Sequence, residues 1–157
     1  IVIAEGYATA DTLSQALSCP VVAAFDSGNL LKVAQVLQNK YPQKPIVIAG
    51  DDDLTQESIN GKNPGKEKAM EAAQLVNGAV VLPIFAPGEQ MSQQLSDFND
   101  LANKSALGID AVKRQVGSVV EKISQQAKQI KQINLKKLQT PITSKRQEIK
   151  QKRALVR

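Results

Sequence analysis

The chain has 157 residues, a net charge of +5, one Cys, no His, no Trp and 3% aromatics. That length suits one ordinary domain plus an appendage, with a core built from Ala, Val, Ile and Leu. Without His there is no catalytic triad and no His-ligated metal, and the lone Cys19 excludes an internal disulfide framework and a Cys-cluster zinc site, so any metal binds mainly through oxygen, as Mg²⁺, Mn²⁺ and Ca²⁺ do.

The chain opens inside a strand-like run, Ile1-Val2-Ile3-Ala4, with no initiator Met and no signal-peptide pattern. It therefore reads as a piece of a longer protein. Four short apolar runs, residues 2–4, 21–25, 46–49 and 79–82, read as buried strands. They are continuous rather than alternating, as a parallel sheet covered on both faces requires. Helical stripes separate them. Ala10, Leu13, Ala16 and Leu17 form the first; Leu30, Val33, Ala34, Leu37 and Tyr41 form the second, after Ser27-Gly28-Asn29. The third has Asn63 as N-cap and Pro64 at its first position, runs through Ala69, Ala72, Ala73 and Val76, and stops at Asn77-Gly78. The βαβαβαβ order predicts an α/β fold, an open and mainly parallel sheet flanked by helices.

The charge divides the chain. Residues 1–110 carry 7 Lys+Arg against 13 Asp+Glu, a net −6; residues 111–157 carry 13 against 2, a net +11. An acidic domain over 1–110 followed by a basic helical extension over 111–157 is expected. In the extension Val112, Val116, Val119, Ile123, Ala127, Ile130 and Ile133 share one helical face. Pro141 is expected to break or end that helix, with a second helix following from Ile142 to Val156. Two uses stand open for the extension: packing on the body or a partner helix, or phosphate-backbone contact. The second would use Lys128, Lys131, Lys136, Lys137, Lys145, Arg146, Lys150, Lys152 and Arg153. No aromatic residue lies there, so such contact would be electrostatic and salt-sensitive. No apolar run approaches the roughly 20 residues of a membrane span, so no membrane partner is expected and the composition reads as cytoplasmic.

In open α/β sheets the chemistry gathers beyond the carboxyl ends of the strands. Glu5-Gly6-Tyr7 follows the first strand, Asp26-Ser27-Gly28-Asn29 the second and Gly50-Asp51-Asp52-Asp53 the third. The fourth is followed by Pro83-Ile84-Phe85 and, later, Asp97-Phe98-Asn99-Asp100. Adjacent carboxylates leaving a buried strand repel unless neutralised. In an extended segment Asp51 and Asp53 share one side, a natural clamp for a divalent cation. The competing reading is a solvated acidic turn or a helix start. Glu5 comes near these acids if the first and third strands are neighbours, which would raise its pKa and suit it to proton transfer. Asp97 and Asp100 either face a metal or cap the next helix. The helix start at Asn63-Pro64-Gly65-Lys66 either holds a phosphate, with Lys66 or Lys68 adding charge, or is an ordinary cap.

Together these segments resemble the Toprim domain of bacterial primases, type IA and type II topoisomerases and certain nucleases. The likeness rests on Glu5-Gly6-Tyr7-Ala8-Thr9-Ala10, Ala24-Phe25-Asp26-Ser27-Gly28-Asn29-Leu30, Ala49-Gly50-Asp51-Asp52-Asp53, Asn63-Pro64-Gly65 and Asp97-Phe98-Asn99-Asp100-Leu101. It covers about residues 1–105 and is closest to the plasmid and phage primase type. The resemblance implies that Glu5 is the acid/base residue, that Asp51 and Asp53 hold Mg²⁺ or Mn²⁺, and that Asp97 and Asp100 form a later acidic motif. It implies Mg²⁺-dependent nucleotidyl transfer, making RNA primers on a single-stranded DNA template from nucleotides, alongside a helicase or other replication or conjugation proteins. Where replicative primases often carry another aspartate, four residues after the glutamate, this chain has Thr9, so the metal shell differs or Asp26 contributes. A metal-dependent nuclease and a non-catalytic nucleic-acid or partner-binding module remain the rival readings.

Overall fold

The computed structural model describes the backbone from Ile1 to Ala154 and the side chains from Ile1 to Lys137. Each apolar run becomes a three-residue strand: β1 (Val2–Ala4), β2 (Val21–Ala23), β3 (Val47–Ala49) and β4 (Ala79–Val81). They form one parallel sheet in the order β2-β1-β3-β4, with Val2 level with both Val21 and Val47, and Val47 level with Ala79. Strands β1 and β3 are buried along their whole length, which is why they carry no polar residue.

Among the described residues seven α-helices accompany these strands in sequence: α1 (Tyr7–Ala16), α2 (Leu30–Lys40), α3 (Leu54–Asn60), α4 (Pro64–Leu75), α5 (Glu89–Gln93), α6 (Phe98–Asn103) and α7 (Gly108–Ala154). Strand side chains alternate between two core clusters. Val2, Ala4, Val47, Ala49 and Val81 pack with Leu13, Phe98, Leu101, Val112 and Val116, from α1, α6 and α7. Ile3 and Ile48 pack on the other face with Leu30, Ala34, Ala69 and Ala72, from α2 and α4. Helices thus cover both faces, and the α/β class read from the chain holds.

Three details differ from the sequence reading. Strand β2 stops at Ala23 because Phe25 takes φ 66, outside extended backbone. Helix α5 was not expected, and α3 only as the helix start that competed with a cation clamp at Asp51–Asp53; neither buries a residue, so neither carries an apolar stripe. Finally, α7 continues past Pro141 to Ala154 instead of ending there. Proline removes one N–H from the ladder, and a long helix keeps its other i→i−4 bonds. A first compact unit spans Ile1–Ile123 and a second begins at Ser124. Among the described residues no helix is long and apolar enough to cross a membrane.

Candidate active site

The chain leaves β1 toward β2 on one side and returns to β3 on the other, so the strand order reverses between β1 and β3. Ligand crevices form at such a reversal, beyond the carboxyl ends of the strands. Glu5 directly follows β1, and Asp51 follows β3 after one intervening glycine. That glycine admits α4: a Cβ on Gly50 would sit 2.5 Å from Ala69 Cβ.

Glu5 Oε2 and Asp51 Oδ1 are buried, and neither has a hydrogen-bond partner. Gly65, in the first turn of α4, lies over both. A Cβ there would stand 3.1 Å from Asp51 Cβ and 3.5 Å from Glu5 Oε2. Burial lifts the Glu5 carboxyl above its ordinary range, and the charges of Asp26 and Asp97 lift it further against an opposing Ser27 backbone hydrogen bond. Burial also pushes Asp51 up to about 7, with Glu5, Asp97 and Asp100 adding their repulsion. Two buried, partnerless oxygens ringed by further acids form a site short of positive charge.

Asp97 and Asp100 reach this site from the start of α6. Asp97 Oδ1 accepts from the Asp100 N–H at 2.7 Å, the cap expected from sequence, and Oδ2 accepts from the Thr9 hydroxyl at 2.9 Å. Thr9 is 1% exposed. Asp100 accepts from the Ser96 N–H at 3.0 Å and pairs with Lys104 at 2.7 Å. Asp53 is placed differently. Its Oδ1 accepts from the Gln56 N–H at 2.8 Å and caps α3. The acids acting most strongly on Asp51 are Glu5, Asp97 and Asp100, not its near neighbour Asp53.

The structure also shows what holds α4 in position. Asn63, 3% exposed, donates from Nδ2 to Asp52 at 2.8 Å and to Glu57 at 2.9 Å. Its Oδ1 accepts from the Asp53 and Lys66 amides, both at 3.3 Å. Lys66 Nζ stands 3.6 Å from Asp52 and 3.8 Å from Glu57, beside the acids. Lys68 instead pairs with Glu71 at 2.8 Å on the outer face of α4. Lys136 and Lys137 are exposed on α7 within the second unit, and Arg146 lies outside the described side chains.

Among the described residues no three carboxylates close into a cage that would hold an ion unaided. The donor set fits a different kind of occupancy. Hard, partnerless oxygens on Glu5 and Asp51, with Asp97 near both, suit a divalent cation that completes its shell with water or phosphate.

Residues 1–106 match the family model described as the Toprim domain. The chain belongs to the Toprim family. Two proteins named DNA primase TraC, both from Escherichia coli, are similar to it. One is 40% identical over 78% of this chain and 17% of its own length; the other is 36% identical over 82% and 13%. The chain thus spans less than a fifth of the length of these curated relatives. No solved structure gives a significant match. The chain is thus a Toprim module similar to a part of two proteins named DNA primase.

Proposed function

We propose that this module catalyses nucleotidyl transfer for primer synthesis, joining ribonucleotides on a single-stranded DNA template. The observation that carries the reading is the pair of buried, partnerless oxygens on Glu5 and Asp51 at the strand-order reversal. In this reading Asp51 and Asp97 hold Mg²⁺ or Mn²⁺ beside Glu5; the ion supplies charge neutralisation for the transferring phosphoryl group when bound. Asp100 stands behind them, already paired with Lys104. Asp53, which caps α3 and is not among the acids that act on Asp51, contributes through the position of its loop. Glu5, with its raised pKa, holds or moves a proton at a reacting hydroxyl. Lys66, beside Asp52 in the first turn of α4, is the cation that meets a substrate phosphate in this reading. The work belongs in the cytoplasm, where a template strand and nucleotides are available.

The test uses the longer protein with Mg²⁺, ribonucleotides and single-stranded DNA. Wild type should make primers. Asp51→Asn and Glu5→Gln should each lower synthesis at least about 100-fold without changing the circular dichroism spectrum. Full synthesis by either variant would defeat the reading. Template cutting without primers would move the chemistry to a Toprim nuclease.

A further inference from the structure

The chain has two Tyr and three Phe. Phe85 and Phe98 are buried and serve the core. Tyr7 and Phe25 do not. Tyr7 is 69% exposed and Phe25 is 74% exposed. Both leave the same edge of the sheet: β1 and β2 are hydrogen-bonded neighbours with Ala4 level with Ala23, Tyr7 begins α1 just past Glu5, and Phe25 follows β2 just before Asp26. Glu5 and Asp26 are themselves close enough for the charge on one to lift the other. Two exposed aromatic residues therefore lie in the segments beyond β1 and β2 that carry Glu5 and Asp26.

Phe25 carries a second signal. Its φ of 66 is in the left-handed region, where a glycine or asparagine fits without penalty and a phenylalanine is strained. A ring that is mostly in solvent recovers little of that cost by packing. Nothing in the fold explains the choice of residue, and strain of this kind gathers at functional positions. Flat, exposed rings recognise other flat rings, and every nucleobase has a face to offer.

We propose that Tyr7 and Phe25 form a stacking platform for unpaired nucleobases at the carboxyl edge of β1 and β2. The ligand is single-stranded nucleic acid whose backbone runs past the acidic site while its bases rest on the two rings. The platform deepens the nucleotidyl-transfer reading, and rests on it only for the direction in which the strand passes. Because stacking is largely insensitive to ionic strength, it separates from any contact made by the basic residues beyond 110.

The experiment is fluorescence anisotropy of a short fluorescein-labelled single-stranded deoxyoligonucleotide, with Mg²⁺, at low and at raised salt. Tyr7→Ala and Phe25→Gly should each weaken binding by about tenfold, with the loss persisting at raised salt. Tyr41→Ala removes the third exposed aromatic, which ends α2 and lies against Lys40; it should bind as wild type. Phe25→Gly should also raise the urea midpoint, because glycine accepts the left-handed backbone. Greater stability with weaker binding cannot come from damage to the fold. Wild-type affinity in both Tyr7→Ala and Phe25→Gly would overturn the platform, as would equal losses in Tyr41→Ala. Asp51→Asn tells the two readings apart: a variant that still binds through these rings but makes no primers upholds the platform. If Asp51→Asn makes primers normally while Phe25→Gly binds weakly, the acidic-site chemistry fails and the platform stands.

Discussion

Asp51 keeps its proton at pH values where an exposed aspartate has lost it, since its pKa rises from 3.8 to about 7. Between those values the folded chain binds more protons than the unfolded chain, so this residue makes metal-free stability fall as pH rises from about 4 to about 7. The ceiling on that loss is about 4 kcal/mol at neutral pH. Asp51→Asn, which keeps the shape and removes the charge, should therefore gain on wild type steadily across that window in urea unfolding without metal. A gain that is constant with pH would show that Asp51 is not held neutral. A divalent cation competes with the same proton, so its affinity should climb over the same window. The Thr9 hydroxyl fixes Asp97 from 88 residues away. Thr9→Val should weaken Mn²⁺ binding by about 10- to 100-fold in calorimetry, and Thr9→Ser should restore it. Thr12 makes a matching bond to Asn99, which is not an acid, so Thr12→Val should leave the metal affinity alone. Equal losses in the two valine variants would mean that α1–α6 packing, not the aim of Asp97, is at stake. Glu5 and Asp51 were legible in the chain because Glu5 directly follows a buried apolar run and Asp51 follows one after a single glycine. Thr9 registered there only as a departure from an expected aspartate; its bond depends on how α1 meets α6, which no local pattern records.

At the scale of elements, α4 shows how a cap sets a site. Asn63 occupies the cap position read from its place before Pro64, yet it does more than cap: one buried amide ties together the Asp52–Asp53 loop, α3 through Glu57, and the first turn of α4. Asn63→Ala should cost about 2–3 kcal/mol in urea unfolding, the sum of a lost cap and unsatisfied buried partners. A cost below about 0.5 kcal/mol would show that the network is slack. The same variant loosens Gly65 over Glu5 and Asp51, so divalent affinity should fall with stability. The strands and the capped helix were readable because burial on two faces and capping chemistry both leave local marks. Helix α5 left none, and α3 left only the helix start that competed with a metal clamp at the Asp51–Asp53 run. They bury no residue, and α3 is defined by Asp53 at one end and Gly61, φ 70, at the other. Pro141 misled because a rule about one missing N–H does not weigh the helix on either side of it. Asp53 starts α3, the helix start that the sequence offered as the rival to a cation clamp.

Across the whole molecule, the charge asymmetry sets how a polyanion is met. On the proposed function, the net −6 over residues 1–110 would repel nucleic acid unless a divalent cation offsets it, while the net +11 over 111–157 would attract it. Each lysine that neutralises a phosphate of a single strand contributes roughly 0.7 to the slope of log affinity against log salt. Lys136 and Lys137 are adjacent and exposed on α7. If both touch the strand, Lys136→Gln with Lys137→Gln should reduce that slope by about 1.4 and weaken binding most at low salt. The anisotropy titration that reads the aromatic platform measures this as well, because the two contributions respond oppositely: removing rings lowers the whole line, and removing lysines flattens it. An unchanged slope in the double variant would assign these lysines to the solvated face of a packing helix, and would leave attraction of the strand to basic residues elsewhere in a longer polypeptide.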